Sequence, residues 1–98
     1  MNKTEHLLAC LIEECAEVQK VAAKALRFGL DDHAPDSSST NAEDMASEIC
    51  DLIAIIEMLE HEQIIPGTRL LDPSLLSKKK EKVNQYMEYA KERGTICN

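Results

Sequence analysis

The stretch that decides the fold is residues 7–25, LLACLIEECAEVQKVAAKA. Its apolar residues return every three or four positions, which is the spacing of one face of an α-helix. Glu14 falls between Leu11 and Val18 on this face, so an acidic side chain is expected on the side of the helix that packs. The whole apolar stripe comprises Leu7, Leu8, Leu11, Cys15, Val18, Val21, Ala22 and Ala25.

Three main helices are predicted along the chain, at about 3–28, 41–62 and 73–93, with a polar loop at 30–40. The expected start signals are Asn2 with Glu5, Thr40 with Glu43, and Asp72 with Pro73. The expected stop signals are Gly29, Pro66 and Gly94. No strand pattern is visible. The predicted fold class is all-α, an antiparallel helical bundle formed by a single domain over residues 1–98.

Composition narrows the range of partners. The net charge of −7 argues against a nucleic-acid polymer, which binds basic surfaces. No run approaches the roughly 18 apolar residues of a membrane span, so no membrane partner is expected. The four cysteines form no C-x-x-C pair, which favours a reduced, cytoplasmic protein. A chain of 98 residues with a wide apolar stripe is marginal alone, so self-association is expected.

The acidic residues form two groups, Glu13-Glu14-x-x-Glu17 and Glu48-x-x-Asp51. Within each group, residues three or four apart share a helix face. At about 1.5 Å per residue, Glu17 lies about 16 Å and Glu48 about 12 Å from the connecting loop, so an antiparallel hairpin brings the groups together. Converging carboxylates repel unless a cation lies among them. Oxygen ligands favour hard ions, so the sequence predicts a site for Mg²⁺ or Mn²⁺ and phosphate chemistry.

Five basic residues are candidates for binding phosphate: Lys20, Lys24, Arg27, Lys79 and Lys82. Lys20 and Lys24 extend the face of Glu17, and simple charge compensation along the helix remains an equal alternative. For the lysines of the third helix, a solvated basic face is the favoured interpretation. A solvated face is likewise the ordinary explanation of any single acidic pair on a helix.

The order Glu-Glu-x-x-Glu, a gap, and Glu-x-x-Asp resembles the MazG-like all-α nucleoside triphosphate pyrophosphohydrolases, which include the dimeric dUTPase and dCTPase relatives. The resemblance covers residues 1–62 well and the third helix more loosely. It implies hydrolysis of a (deoxy)nucleoside triphosphate to the monophosphate and pyrophosphate by a homodimer or homotetramer. It also implies that Glu14, Glu17, Glu48 and Asp51 bind Mg²⁺, and that Glu13 holds or activates the attacking water.

Two alternatives to this function stay open at the level of sequence. One is a non-catalytic helical interaction protein that keeps its acidic face for a partner or for a structural Ca²⁺. The other is a phosphohydrolase that cleaves a different bond and releases orthophosphate. No residue pattern identifies the base or the sugar of a nucleotide substrate.

Overall fold

A computed structural model of the chain describes residues 1–97. Within them lie three α-helices, α1 (Lys3–Phe28), α2 (Asn41–His61) and α3 (Pro73–Arg93), and no strand. The predicted all-α class with three main helices is therefore confirmed. The second helix is one residue shorter than predicted, because Glu62 already takes the C-cap position. The MazG-like bundle and its completion by oligomerisation stay predictions.

Each helix begins at a side chain that caps its first turn. Asn2 accepts a hydrogen bond from the Glu5 amide at 2.8 Å, and the Glu5 carboxylate accepts one from the Asn2 amide. Thr40 and Glu43 form the same reciprocal capping box at the start of α2. The Asp72 carboxylate caps α3 by accepting hydrogen bonds from two backbone amides in the first turn of the helix. These bonds satisfy amides that have no partner inside the helix, so the helix starts are fixed locally.

Glycine ends both α1 and α3 in conformations that other residues rarely adopt. Gly29 has a φ of 102° and Gly94 a φ of 77°, the latter in the left-handed region. At each position the glycine amide still donates back into the last turn of its helix. A side chain at positive φ would clash with its own backbone, so glycine allows the chain to leave each helix here.

The chain forms two compact units, which are described separately. Residues 1–65 hold α1 and α2, and the second unit begins at Pro66 and holds α3. The two helices of the first unit are antiparallel. An ion pair joins Lys3 at the start of α1 to Glu62 just beyond the end of α2, while at the other end Asn41 bonds to Gly29. The prediction of one domain over residues 1–98 stays a prediction.

The two helices keep the same axial register between two contacts of this hairpin. Lys3 contacts Glu62 near the open end, and Glu14 lies beside Asp51 further in. Both steps, from Lys3 to Glu14 and from Glu62 to Asp51, are eleven residues, about three helical turns. The two helices therefore stay level with one another between these contacts.

The apolar stripe of α1 proves to be two faces of the helix. Leu7 and Ala25 are buried in the hairpin, whereas Leu8 is 40 % exposed and Cys15 is also exposed. Ile12, two positions before Glu14 and on the far side of α1 from it, is 71 % exposed. One face of α1 thus packs on α2, and a second apolar face is left uncovered.

Few apolar side chains are covered within residues 1–97. Only Leu7, Ala25 and Leu59 are buried, against sixteen large apolar side chains that are exposed. Singly exposed apolar residues are ordinary on a protein surface, whereas extended apolar patches mark interaction sites. No helix in this range combines the length and the apolar content that a bilayer crossing requires.

α3 carries the least covered apolar stripe of the three helices. None of its residues is buried. Its large apolar side chains are all exposed, with Leu75 at 41 % and Tyr86 at 64 %. Most helices in proteins are stabilised by packing an apolar face rather than by helix propensity alone. The stripe of α3 is therefore expected to need a partner surface.

Candidate metal centre

Three carboxylates of the first unit converge between the two helices. One oxygen each of Glu14 on α1 and of Glu48 and Asp51 on α2 lie within 4.8 Å of one another. Glu48 and Asp51 share a face of α2 because they are three residues apart. The regular register of the hairpin then carries Glu14 to the same level. The acidic cluster, meaning Glu14, Glu48 and Asp51, thus follows from helix spacing and register together.

The cluster lies at the rim of the hairpin interface. Glu14 and Glu48 are half-buried, and Asp51 is exposed. Partial burial raises the pKa of the Glu14 carboxyl above its ordinary value, and the nearby negative charges raise it further; in decreasing order these belong to Asp51, Glu13, Glu48 and Glu17. Both causes disfavour the charged form of Glu14. A bound cation would reverse the second cause, because it would place positive charge among the carboxylates.

Glu13 and Glu17 lie near the cluster without being part of it. Glu17 is half-buried and Glu13 is exposed. Both act electrostatically on Glu14, but neither offers an oxygen within the 4.8 Å group. Glu17 as a fourth metal ligand and Glu13 as the residue that activates water therefore stay predictions.

The basic candidates of α1 have different surroundings. Lys24 is half-buried and Lys20 is exposed. Among residues 1–97 the ion pairs are Lys3 with Glu62 and Lys91 with Glu88, so Lys20 and Lys24 form none. The Arg27 guanidinium lies 4.7 Å from the centre of the Phe28 ring, a cation–π contact at the end of α1. Lys20 and Lys24 therefore remain available to bind an anion.

In the second unit, the candidate Lys82 lies in a shallow groove along one face of α3. The groove is lined by Lys78, Glu81, Lys82, Gln85, Tyr86 and Tyr89. Lys79 does not line it. Lys82 and Tyr86 share this face because they are four residues apart, a spacing that the sequence already shows. Phosphate binding by Lys79 and Lys82 stays a prediction.

The donor set of the cluster suits a hard divalent cation. Carboxylate oxygens are the usual protein ligands of Mg²⁺, Mn²⁺ and Ca²⁺. No histidine or cysteine belongs to the group, so the ligands that zinc prefers are missing from it. The cluster offers three ligands and leaves the other coordination positions of an octahedral ion for water or substrate oxygens.

Removing one charge from the cluster should stabilise the metal-free protein. Because the pKa of Glu14 is higher in the folded state, the folded protein binds more protons between the unfolded and folded pKa values, and its stability falls as the pH rises through that window. Glu14→Gln lacks this penalty. In EDTA its melting temperature should exceed that of wild type, by a margin that grows from about pH 4 to pH 7.

Two comparisons make this result specific. Glu57→Gln, an exposed glutamate of α2 outside the cluster, should change the melting temperature little at either pH. Saturating Mg²⁺ should raise the melting temperature of wild type more than that of Glu14→Gln, because a ligand of the folded state stabilises it. Identical melting curves of wild type with EDTA and with Mg²⁺, and of wild type and Glu14→Gln in EDTA, would show that these carboxylates do not interact.

Comparisons of the chain with protein-family models, with curated proteins and with solved structures give no match.

Proposed function

We propose that this chain hydrolyses a (deoxy)nucleoside triphosphate to the monophosphate and pyrophosphate with Mg²⁺ bound at the acidic cluster, as the MazG-like enzymes do. The observation that carries the proposal is the convergence of Glu14, Glu48 and Asp51 within 4.8 Å between two helices. These residues come from both acidic groups of the sequence pattern that resembles the family. A cluster with oxygen donors only, at an accessible rim, fits a cation that must also meet a polyphosphate.

The proposed roles follow the positions of the side chains. Glu14, Glu48 and Asp51 hold the ion, with Glu17 as a further ligand, and Mn²⁺ can replace Mg²⁺. When bound, the ion neutralises polyphosphate charge, lowers the pKa of a water and stabilises the leaving pyrophosphate. Glu13, exposed and near Glu14, orients the attacking water. Hydrolysis of this kind depends mainly on positioning and charge, which side chains held on two packed helices can provide.

Phosphate recognition is assigned first to the basic residues of α1, the helix that carries Glu14. Lys24 is the leading candidate on α1, because it is half-buried and forms no ion pair among the described residues. Lys20 and Arg27 are exposed and would bind the outer phosphates. Lys79 and Lys82, on α3 of the second unit, are separate candidates for binding phosphate.

The active form is proposed to be a homodimer or homotetramer in the cytoplasm. The uncovered second face of α1 and the bare stripe of α3 support self-association, because each exposes large apolar side chains. The four cysteines are free thiols, which suits a reducing compartment.

A second candidate function is a non-catalytic helical interaction protein with an acidic cation-binding face. The sixteen exposed large apolar side chains favour it, because such surface marks binding to another protein. Its cation would be structural, and Ca²⁺ would serve as well as Mg²⁺. This candidate predicts cation binding without any turnover of nucleotides.

The test is a screen of the common NTPs and dNTPs with Mg²⁺ and with Mn²⁺, in which all phosphorus products are identified by ³¹P NMR. Monophosphate and pyrophosphate in equal amounts are expected for at least one nucleotide, and Ca²⁺ should support little activity. Orthophosphate as the first product would mean that another bond is cleaved. Cation binding with no turnover of any nucleotide would favour the interaction protein.

A further inference from the structure

The closed end of the hairpin is joined by hydrogen bonds from the first residues of α2. Asn41 Nδ2 donates to the Gly29 carbonyl at 2.8 Å. The backbone amide of Asn41 donates to the Asp32 carbonyl at 2.8 Å, and the backbone amide of Ala42 donates to the Leu30 carbonyl at 3.0 Å. Asn41 alone supplies two of these three bonds. The Asn41 latch, meaning Asn41 with Gly29 and Asp32, ties the start of α2 to the chain that leaves α1.

Asn41 is buried at an energetic disadvantage. It is 1 % exposed, and its Oδ1 atom has no hydrogen-bond partner within residues 1–97. An unpaired buried acceptor costs at least as much free energy as one ordinary hydrogen bond returns. The carbonyl of the exposed Gly29 could bond to water instead. A gain in global stability therefore does not explain why an asparagine side chain is buried here. The hydrogen bond that it donates to Gly29, at the end of α1, offers another explanation.

The latch lies on the same side of α2 as the acidic cluster. Glu48 follows Asn41 by seven residues and Asp51 by ten, which are about two and three turns along one face. Glu14 reaches them from α1 only if the helices keep their axial register. Without a cation the carboxylates repel, and that repulsion favours sliding or separation of α2 from α1. At the other end, the Lys3–Glu62 pair is exposed and resists such movement weakly.

We propose that Asn41 is a positioning residue of the metal centre: its latch fixes the register of α2 against α1 so that Glu48 and Asp51 stay level with Glu14. The inference rests on the proposed function for the identity of the site it serves. The register itself is a property of the hairpin with or without a cation, and it can be measured separately.

Two variants remove the latch in different ways. Asn41→Ala removes the side-chain bond and the unpaired acceptor together, so its melting temperature should stay close to that of wild type. Asn41→Pro also removes the backbone donor to Asp32. Proline suits the first position of a helix, and Thr40 before it is already extended, with φ −78° and ψ 164°. Helix α2 should therefore persist in both variants.

The control is Leu59→Val, which trims a buried residue of the same helix that is 1 % exposed. It should lower the melting temperature by loss of packing while it leaves the register intact. The first readout is zero-length carbodiimide cross-linking of Lys3 to Glu62 in EDTA, scored by mass spectrometry. The second readout is Mn²⁺ affinity from electron paramagnetic resonance titration of the folded protein.

The expected result is a loss of about half or more of the Lys3–Glu62 cross-link in both Asn41 variants. A slide of α2 by one helical turn would move Glu62 about 5.4 Å relative to Lys3, and a zero-length cross-link requires contact of the two side chains. Mn²⁺ affinity should fall at least about tenfold. Leu59→Val should match wild type in both readouts. Wild-type cross-linking in both Asn41 variants, or equal losses in Leu59→Val, would overturn the proposal. If wild type binds no Mn²⁺, the proposed function fails, and the cross-link alone still decides the latch.

Discussion

Replacing Asp51 with asparagine should lower the rate of nucleotide hydrolysis by about a hundredfold or more, with helical content unchanged. Asp51 is exposed and at the rim of the cluster, so the substitution removes a charged ligand without disturbing a packed core. A metal ion stabilises the developing phosphate charge by several kcal/mol, and each loss of about 1.4 kcal/mol slows the reaction tenfold. The measurement is steady-state pyrophosphate release at saturating Mg²⁺.

Variants of the neighbouring glutamates test which side chains belong to the site. Glu14→Gln and Glu48→Gln should be as impaired as Asp51→Asn, and Glu57→Gln should keep the wild-type rate because Glu57 is exposed outside the cluster. Glu17→Gln decides between two forms of the site: an equal loss makes Glu17 a fourth ligand, and a near-normal rate leaves three. A near-normal rate for Asp51→Asn, with circular dichroism like that of wild type, would refute the assignment of the site.

Placing a charge on the uncovered face of α1 should abolish both self-association and activity. Ile12 is 71 % exposed on the side of α1 away from Glu14. If a second copy covers this face, Ile12→Asp buries an unpaired carboxylate in the interface, which costs several kcal/mol. Sedimentation at micromolar concentration should show a dimer or tetramer for wild type and a monomer of 11.0 kDa for the variant.

The matched control for this experiment is His6→Asp on the same helix. His6 is exposed and lies about a third of a turn or more away from the Ile12 face. His6→Asp should leave the oligomer and the activity unchanged, which separates an effect at the interface from an effect of added negative charge. On dilution, the wild-type protein should lose activity and helicity together. A fully active wild-type monomer, or a wild-type oligomer formed by Ile12→Asp, would contradict the shared interface.

The helix limits could be predicted from the sequence because the signals are local. Asn2 with Glu5 and Thr40 with Glu43 form capping boxes within a single turn, and no distant contact has to be known. The burial pattern is harder to predict from the sequence. A stripe from Leu7 to Ala25 is wide enough to cover two faces of a helix, and periodicity alone does not say which face meets α2. The structure places Leu7 inside and Leu8 largely outside.

The candidate site divides in the same way. The meeting of Glu14 with Glu48 and Asp51 could be predicted from their spacing and from depths in a hairpin that match within about one helical turn. The exclusion of Glu17 from the 4.8 Å group depends on side-chain placement around the helix. The hydrogen bonds of Asn41 cannot be predicted from the sequence, because its partners are backbone carbonyls across the turn and no residue type marks such an acceptor.

Glu14, Glu48 and Asp51 are proposed to bind one divalent cation together. The most direct measurement is an anomalous difference map from crystals of the wild-type protein grown with saturating Mn²⁺. A strong peak is expected within about 2.0–2.6 Å of a carboxylate oxygen from each of the three residues. Well-ordered carboxylates with no peak among them, or a peak bound elsewhere in the chain, would contradict it.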